Sequence, residues 1–138
     1  MIVLGQDEIV CDFVASGFPH IDSFPSHCIG IGVDRGGYLE GGVVIELKTD
    51  FDAYVTVYAP IGKIWSRKIV EQVFGFIFKG LGVVRITAEA AKGNKRSRRL
   101  IAGLGFRQEG CKRKGYDGKQ DKIIYGMTKE ECRWIKVK

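Results

Sequence analysis

The sequence predicts one domain of the α/β (α+β) class, with six or seven strands flanked by helices. Three observations carry that reading. Residues 28 to 59 form a run of short, β-rich segments broken by Gly and Asp turns, which reads as a meander. Residues 66 to 79 repeat apolar side chains at helical spacing. The stretch Val83 to Phe106, VVRITAEAAKGNKRSRRLIAGLGF, passes from a β-branched strand through an Asn cap into a basic helix that ends on glycine. A chain of 138 residues fits one such domain and is long enough to bury a core.

Taken in order, Met1 to Leu4 is a short edge strand. Gln6 to Ala15 places Ile9, Val10, Phe13 and Val14 at helical spacing, and Gly17 stops the helix. Residues 18 to 25, with two prolines, are irregular. Cys28 to Val33 and Tyr38 to Lys48 are strands joined by the turn Asp34 to Gly37. Gly41 and Gly42 within the second strand mark a bulge or a close backbone approach. Asp52 to Ala59 alternates, with Ala53, Val55 and Val57 on one face and Tyr54, Thr56 and Tyr58 on the other. Pro60 ends it, having no N–H to donate. Ile61 to Ile64 is a loop, and Ser66 caps the helix that runs to about Lys79. Ile69, Val70, Val73, Phe74 and Ile77 form its apolar face, widened by Phe76 and Phe78.

The strand Val83 to Ala88 follows, then the Lys92-Gly93 break and a helix from Lys95 to Ala102 capped by Asn94. Leu100, Ile101 and Leu104 are its apolar stripe, leaving Lys95, Arg96, Arg98 and Arg99 exposed to solvent or to an anion. Arg107 to Lys112 and Lys122 to Met127 are the last two strands. Thr128 to Glu131 is a Thr-x-x-Glu capping box that brings Trp134 back onto the body.

Composition narrows the function classes. The hydrophobic and charged fractions, 45% and 28%, are those of an ordinary globular chain. No run approaches the roughly 20 apolar residues of a membrane span, and residues 1 to 4 lack the basic start of a signal peptide, so a cytoplasmic location is expected. Cys11, Cys28, Cys111 and Cys132 are widely spaced without a Cys-x-x-Cys pair. That spacing argues against a zinc site and a disulfide framework, and for free thiols. The net charge of +6 is uneven: residues 92 to 122 hold eleven Lys or Arg against three acids. Coenzyme phosphates, a nucleic acid, or a merely solvated face would each account for it.

The order of residues after Asn94 is the most specific feature. Asn94, Ser97, Leu100, Leu104-Gly105-Phe106, Glu109-Gly110, Asp121 and Tyr125-Gly126-Met127 follow the pattern N..S..L...LGF..EG and D...YGM. The pattern resembles the GNAT superfamily of acyl-CoA-dependent N-acyltransferases, in its ribosomal-protein N-terminal acetyltransferase branch. The tail Glu130 to Trp134 is similar to short GNAT-like proteins carried by phages and prophages. The resemblance covers residues 41 to 135 and only loosely the first forty. It implies a mixed central sheet, acetyl-CoA as acyl donor and an amine acceptor.

It also implies where the chemistry sits. The pyrophosphate belongs at the start of the helix capped by Ser66, where free N–H groups bind phosphate and Arg67 adds charge. The glycine-rich loop usual there is replaced by Pro60 to Arg67, with the single glycine Gly62. The thioester carbonyl belongs at the backbone of Val57, Tyr58 and Ala59, and the pantetheine arm at Asn94 and Ser97. Tyr58 has a second reading as core, and Asn94 as a pure helix cap. The family's Tyr, seven residues past the Asn, is Ile101 here and has no proton to give. Proton acceptance falls to His20, near the acceptor entrance, or to Glu46 acting through water. The alternatives to an N-acetyltransferase are a nucleic-acid-binding or base-modifying protein using residues 92 to 122, and a non-catalytic interaction protein of the same shape.

Overall fold

The computed structural model describes residues 1–60 and 65–135. In chain order the elements are β1 (Ile2–Val3), α1 (Asp7–Ala15), β2 (Ile29–Arg35), β3 (Tyr38–Leu47), β4 (Asp52–Tyr58), α2 (Arg67–Gly75), β5 (Arg85–Ala91), α3 (Lys95–Leu104), β6 (Arg107–Lys112) and β7 (Lys122–Thr128). A π-helical turn, Phe76–Gly80, prolongs α2, and a 3-10 turn, Lys129–Glu131, follows β7. The seven strands form one sheet in the order β1-β2-β3-β4-β5-β7-β6. Every neighbouring pair is antiparallel except β4 and β5.

Helices cover both faces. α2 and α3 lie over the face carrying Ile31, Val43, Ile45, Ala53, Ile86, Ala88 and Met127, where Phe74, Ile77 and Phe78 fill the core. A fully buried Phe78 contributes about 1.5–3 kcal/mol. α1 covers the other face with Val10 and Val14, packed against Val44, Phe24 and Tyr58. It lies close because β2 and β3 are bare beneath it. A Cβ at Gly30 would stand 2.7 Å from Val10, and one at Gly42 2.8 Å from Val14. Asp7 fastens the helix by accepting the Gly30 N–H at 3.0 Å. Both readings of the Gly41-Gly42 pair hold, since the β2–β3 register also shifts there, leaving Glu40 as an extra residue.

Several boundaries differ from the sequence expectation. β5 begins two residues later, at Arg85, and runs on to Ala91. The pairing with β7 extends to Ala91↔Lys122, so the antiparallel partner prolongs a strand whose alanine-rich end carries little β propensity. α3 continues to Leu104 because Gly105, at φ +109°, and not Gly103, supplies the left-handed cap. Leu100 is exposed, so the buried side of α3 rests on Ile101 and Leu104. Residues 61–64, read as the loop before α2 and holding the single glycine, lie outside the described residues. Among the described residues no helix is long and apolar enough to cross a membrane.

Candidate active site

The sheet's one parallel pair is closed at one end and open at the other. At the closed end Asp52↔Arg85 opens a register that runs to Val55↔Ala88 and stops. Thr87, buried, donates its hydroxyl to Asp52 at 2.8 Å and accepts from Arg85 Nη2 at 3.1 Å. Arg85 continues to Glu109 of β6, with Nη2 2.6 Å from Oε1. This polar clamp spans β4, β5 and β6. Past Val55, Thr56, Val57 and Tyr58 stay paired with β3, and β5 continues against β7 alone. The β4 edge from Thr56 onward therefore turns its backbone groups toward a gap between two strands, not toward a partner.

A groove of about 340 Å³ opens on the α1 face at this divergence. Glu46 and Lys48 (β3), Tyr54 and Thr56 (β4), Glu89 (β5) and Lys122 (β7) line it, with Phe24 and Lys112 at its margins. Alternation puts these residues on one face: Glu46 opposes Tyr54, and Glu89 directly follows the last paired residue, Ala88. Lys122 Nζ lies 3.1 Å from Glu89 Oε2. Glu46 is held by Lys48 and by His27, each at 3.1 Å. Burial pushes the Glu46 carboxyl upward, but hydrogen bonds from Lys48 and His27 outweigh it and hold the pKa below the ordinary carboxylate range.

His20 is exposed, and its ring packs 4.3 Å, centroid to centroid, from Tyr116 in the β6–β7 turn. Val57 and Tyr58 lie on the diverging end of β4, and Ala59 directly after it. Tyr58 packs against Phe13 and Phe18, so its ring belongs to the α1 core. Ser66 caps α2 by accepting the Ile69 N–H at 3.3 Å, leaving the N–H groups of Arg67 and Lys68 without intrahelical acceptors. Arg67 is exposed, 3.7 Å from Glu71. Asn94 caps α3 by accepting the Ser97 N–H at 3.1 Å. Ile101 is partly buried against the core.

Arg98, expected among the freely solvated cations of α3, is half-buried: its Nε donates to the Tyr125 hydroxyl at 2.9 Å and its Nη1 to the Lys92 carbonyl at 3.1 Å. Arg107 and Lys122 are likewise engaged, with Glu131 and Glu89. Lys95 and Arg99 line a second, shallow groove of about 440 Å³ between α3 and the β6–β7 strands.

Sequence reasoning missed Glu89, Lys112 and Lys122. Ending the β5 strand at Ala88 left Glu89 unassigned, between the strand and the Lys92-Gly93 break, instead of at the strand divergence. The signal that would have found it was the continued alternation through Glu89-Ala90-Ala91.

No family model matches the sequence, and no curated protein matches it. Solved structures match the fold. The ribosomal-protein-S5-alanine acetyltransferase of Vibrio fischeri aligns at TM-score 0.64 and 24% identity, over 79% of this chain and 64% of that one. Mycobacterium smegmatis RimJ, in complex with CoA-disulfide, aligns at 0.59 and 19%, over 75% and 54%. A chimera of Vibrio cholerae spermidine N-acetyltransferase SpeG aligns at 0.65 and 20%, over 75% and 68%. The chain spans less than two thirds of the length of the first two.

Proposed function

From a chain that carries the GNAT fold, we propose an N-acyltransferase that moves an acetyl group from acetyl-CoA to an amine. The observation that carries this reading is the divergence of β4 and β5. A thioester entering the gap meets those backbone N–H groups of Thr56 to Tyr58 that alternate away from β3, and an amine reaches it through the groove of Glu46 and Glu89. The residues present fit the donor. The α2 N-terminus offers the N–H groups of Arg67 and Lys68 with the Arg67 guanidinium beside them, suited to a pyrophosphate. Ser97 and Asn94, at the start of α3, flank the pantetheine path. Their side-chain to backbone cap keeps the Asn94 amide N–H₂ available.

Proton acceptance is assigned to Glu89. It stands at the mouth of the gap, whereas Glu46 is one strand further away and is held ionised by two donors, and His20 lies against Tyr116. With Ile101 in place of a hydroxyl donor, the departing thiolate takes its proton from water or from the acceptor's own ammonium.

A thermal-shift titration tests the reading. At a concentration about 100 times its dissociation constant, acetyl-CoA adds about 2.7 kcal/mol of stability. Arg67→Ala weakens that binding without loss of fold, because the side chain is exposed. No shift at millimolar acetyl-CoA overturns the proposal. Salt-sensitive binding to DNA or RNA without coenzyme affinity transfers it to the nucleic-acid reading.

A further inference from the structure

Antiparallel pairing of β2 with β3 brings two adjacent metal-ligating residues, His27 and Cys28, to a third, Glu46, that is distant in sequence. Ile29 opposes Ile45, so Cys28 and Glu46, one step outward on each strand, fall on the same face. His27 stands beside them, and the turn that presents the pair is fixed by the Cys28 N–H bonding to the Pro25 carbonyl at 3.1 Å. One ligand atom from each of His27, Cys28 and Glu46 lies within 4.8 Å of the other two. We propose that His27, Cys28 and Glu46 form a binding site for a zinc-like divalent transition-metal ion.

Distance and donor chemistry argue for it. Tetrahedral zinc, with bonds of about 2.0–2.3 Å, separates its ligand atoms by roughly 3.3–3.8 Å. His27 Nε2 and Glu46 Oε2 are already 3.1 Å apart, and the ligand atoms lie within 4.8 Å of one another, so an ion needs the cluster to adjust by roughly 1.5 Å at most. The mixture of imidazole, thiolate and carboxylate suits zinc or cobalt, and not magnesium or calcium, which prefer oxygen alone. Glu46 is oriented from behind: its Oε1 accepts from Lys48 Nζ at 3.1 Å, leaving Oε2 for the ion. Thiolate and carboxylate together balance the charge of the dication. A cysteine gives up its thiol proton when it binds the ion as thiolate. Metal binding releases that proton, and affinity rises with pH.

Three protein ligands leave the fourth position of a tetrahedral ion to water. The proposal stands apart from acyl transfer and is tested without it.

Cobalt(II) titrated into the reduced full-length chain is the probe. One equivalent is expected to produce a thiolate-to-cobalt charge-transfer band, with proton release, and zinc then abolishes the band by displacement. Cys28→Ser removes the band. His27→Ala, at a 62% exposed side chain where folding is not at stake, weakens binding at least about a hundredfold, exceeding the usual loss for a supporting residue. Cys111→Ser, at the exposed cysteine, changes nothing. No charge-transfer band, a band that survives Cys28→Ser, or unchanged affinity in His27→Ala overturns the site. If Cys28→Ser does not fold, the His27→Ala and Glu46→Gln titrations decide.

Discussion

Gly105 shows how much of a motif serves the backbone. At φ +109° it ends α3 while its N–H returns to the Ala102 carbonyl and Phe106 N–H reaches Ile101. Any side chain there is strained, so Gly105→Ala is expected to cost about 1–3 kcal/mol in urea unfolding. The rest of the motif reads the same way. Asn94 caps, Tyr125 takes a hydrogen bond from Arg98, and Asp121 accepts the Lys114 N–H at 2.9 Å. Glu109 is the extra residue of a β6 bulge and reaches Arg85 over Gly126, where a Cβ would meet both side chains. The cysteines also differ residue by residue. Cys11, Cys28 and Cys132 are buried and their thiols are pushed up, by burial above all, whereas Cys111 is exposed. Iodoacetamide at pH 8 is therefore expected to label the native protein once, at Cys111. Labelling of Cys28 at a comparable rate would contradict its burial.

Among the elements, β4 and β5 hold the greatest consequence. Their parallel contact is held at one end by the Thr87, Asp52 and Arg85 clamp and released at the other, and the release makes the gap. Thr87→Val keeps the shape of the buried side chain but removes the hydroxyl from its half-buried carboxylate partner, Asp52. A hydrogen bond to a charged group is worth about 1.5–3 kcal/mol, and a loss of that size is expected in denaturant unfolding with an unchanged slope. α3 is fixed from its far end too. The Trp134 Nε1–H donates to the Leu104 carbonyl at 2.8 Å and Arg133 reaches the Gly103 carbonyl, satisfying groups the helix leaves open. The Thr128–Glu131 capping box sets up that return, as its spacing predicts.

For the whole molecule, the proposed acyl transfer would place its proton acceptor in a groove of mixed charge. Glu46 and Glu89 face it with Lys48, Lys112 and Lys122, and Lys112 has no partner among the described residues. A general base contributes about a hundred- to ten-thousandfold. Once an acceptor amine is found, Glu89→Gln is expected to lower kcat/KM at least about a hundredfold and to remove the acidic limb of the pH profile. His20→Ala is expected to leave that limb in place. The reverse pattern returns the role to His20, and no effect from either means that the amine arrives deprotonated and the protein supplies position alone.

Local chemistry wrote most of the elements into the chain. Ser66, Asn94 and Gly105 bound their helices, the alternation of Ala53 to Tyr58 sets the faces of β4, and the Thr-x-x-Glu box turns the tail, because caps, periods and turns act within a few residues. The site was legible only in part. Asn94, Ser97 and the end of β4 stood out by position, but the divergence of two strands is a property of their pairing, which no run of residues displays. Glu89 entered the groove because β7 carried β5 three residues past its apolar run, and Arg98 became half-buried because its guanidinium reaches Tyr125. The adjacent pair His27 and Cys28 is joined to Glu46, eighteen positions beyond Cys28, by a strand register. Side-chain pattern chose the elements; the hydrogen bonds between distant strands chose which side chains meet.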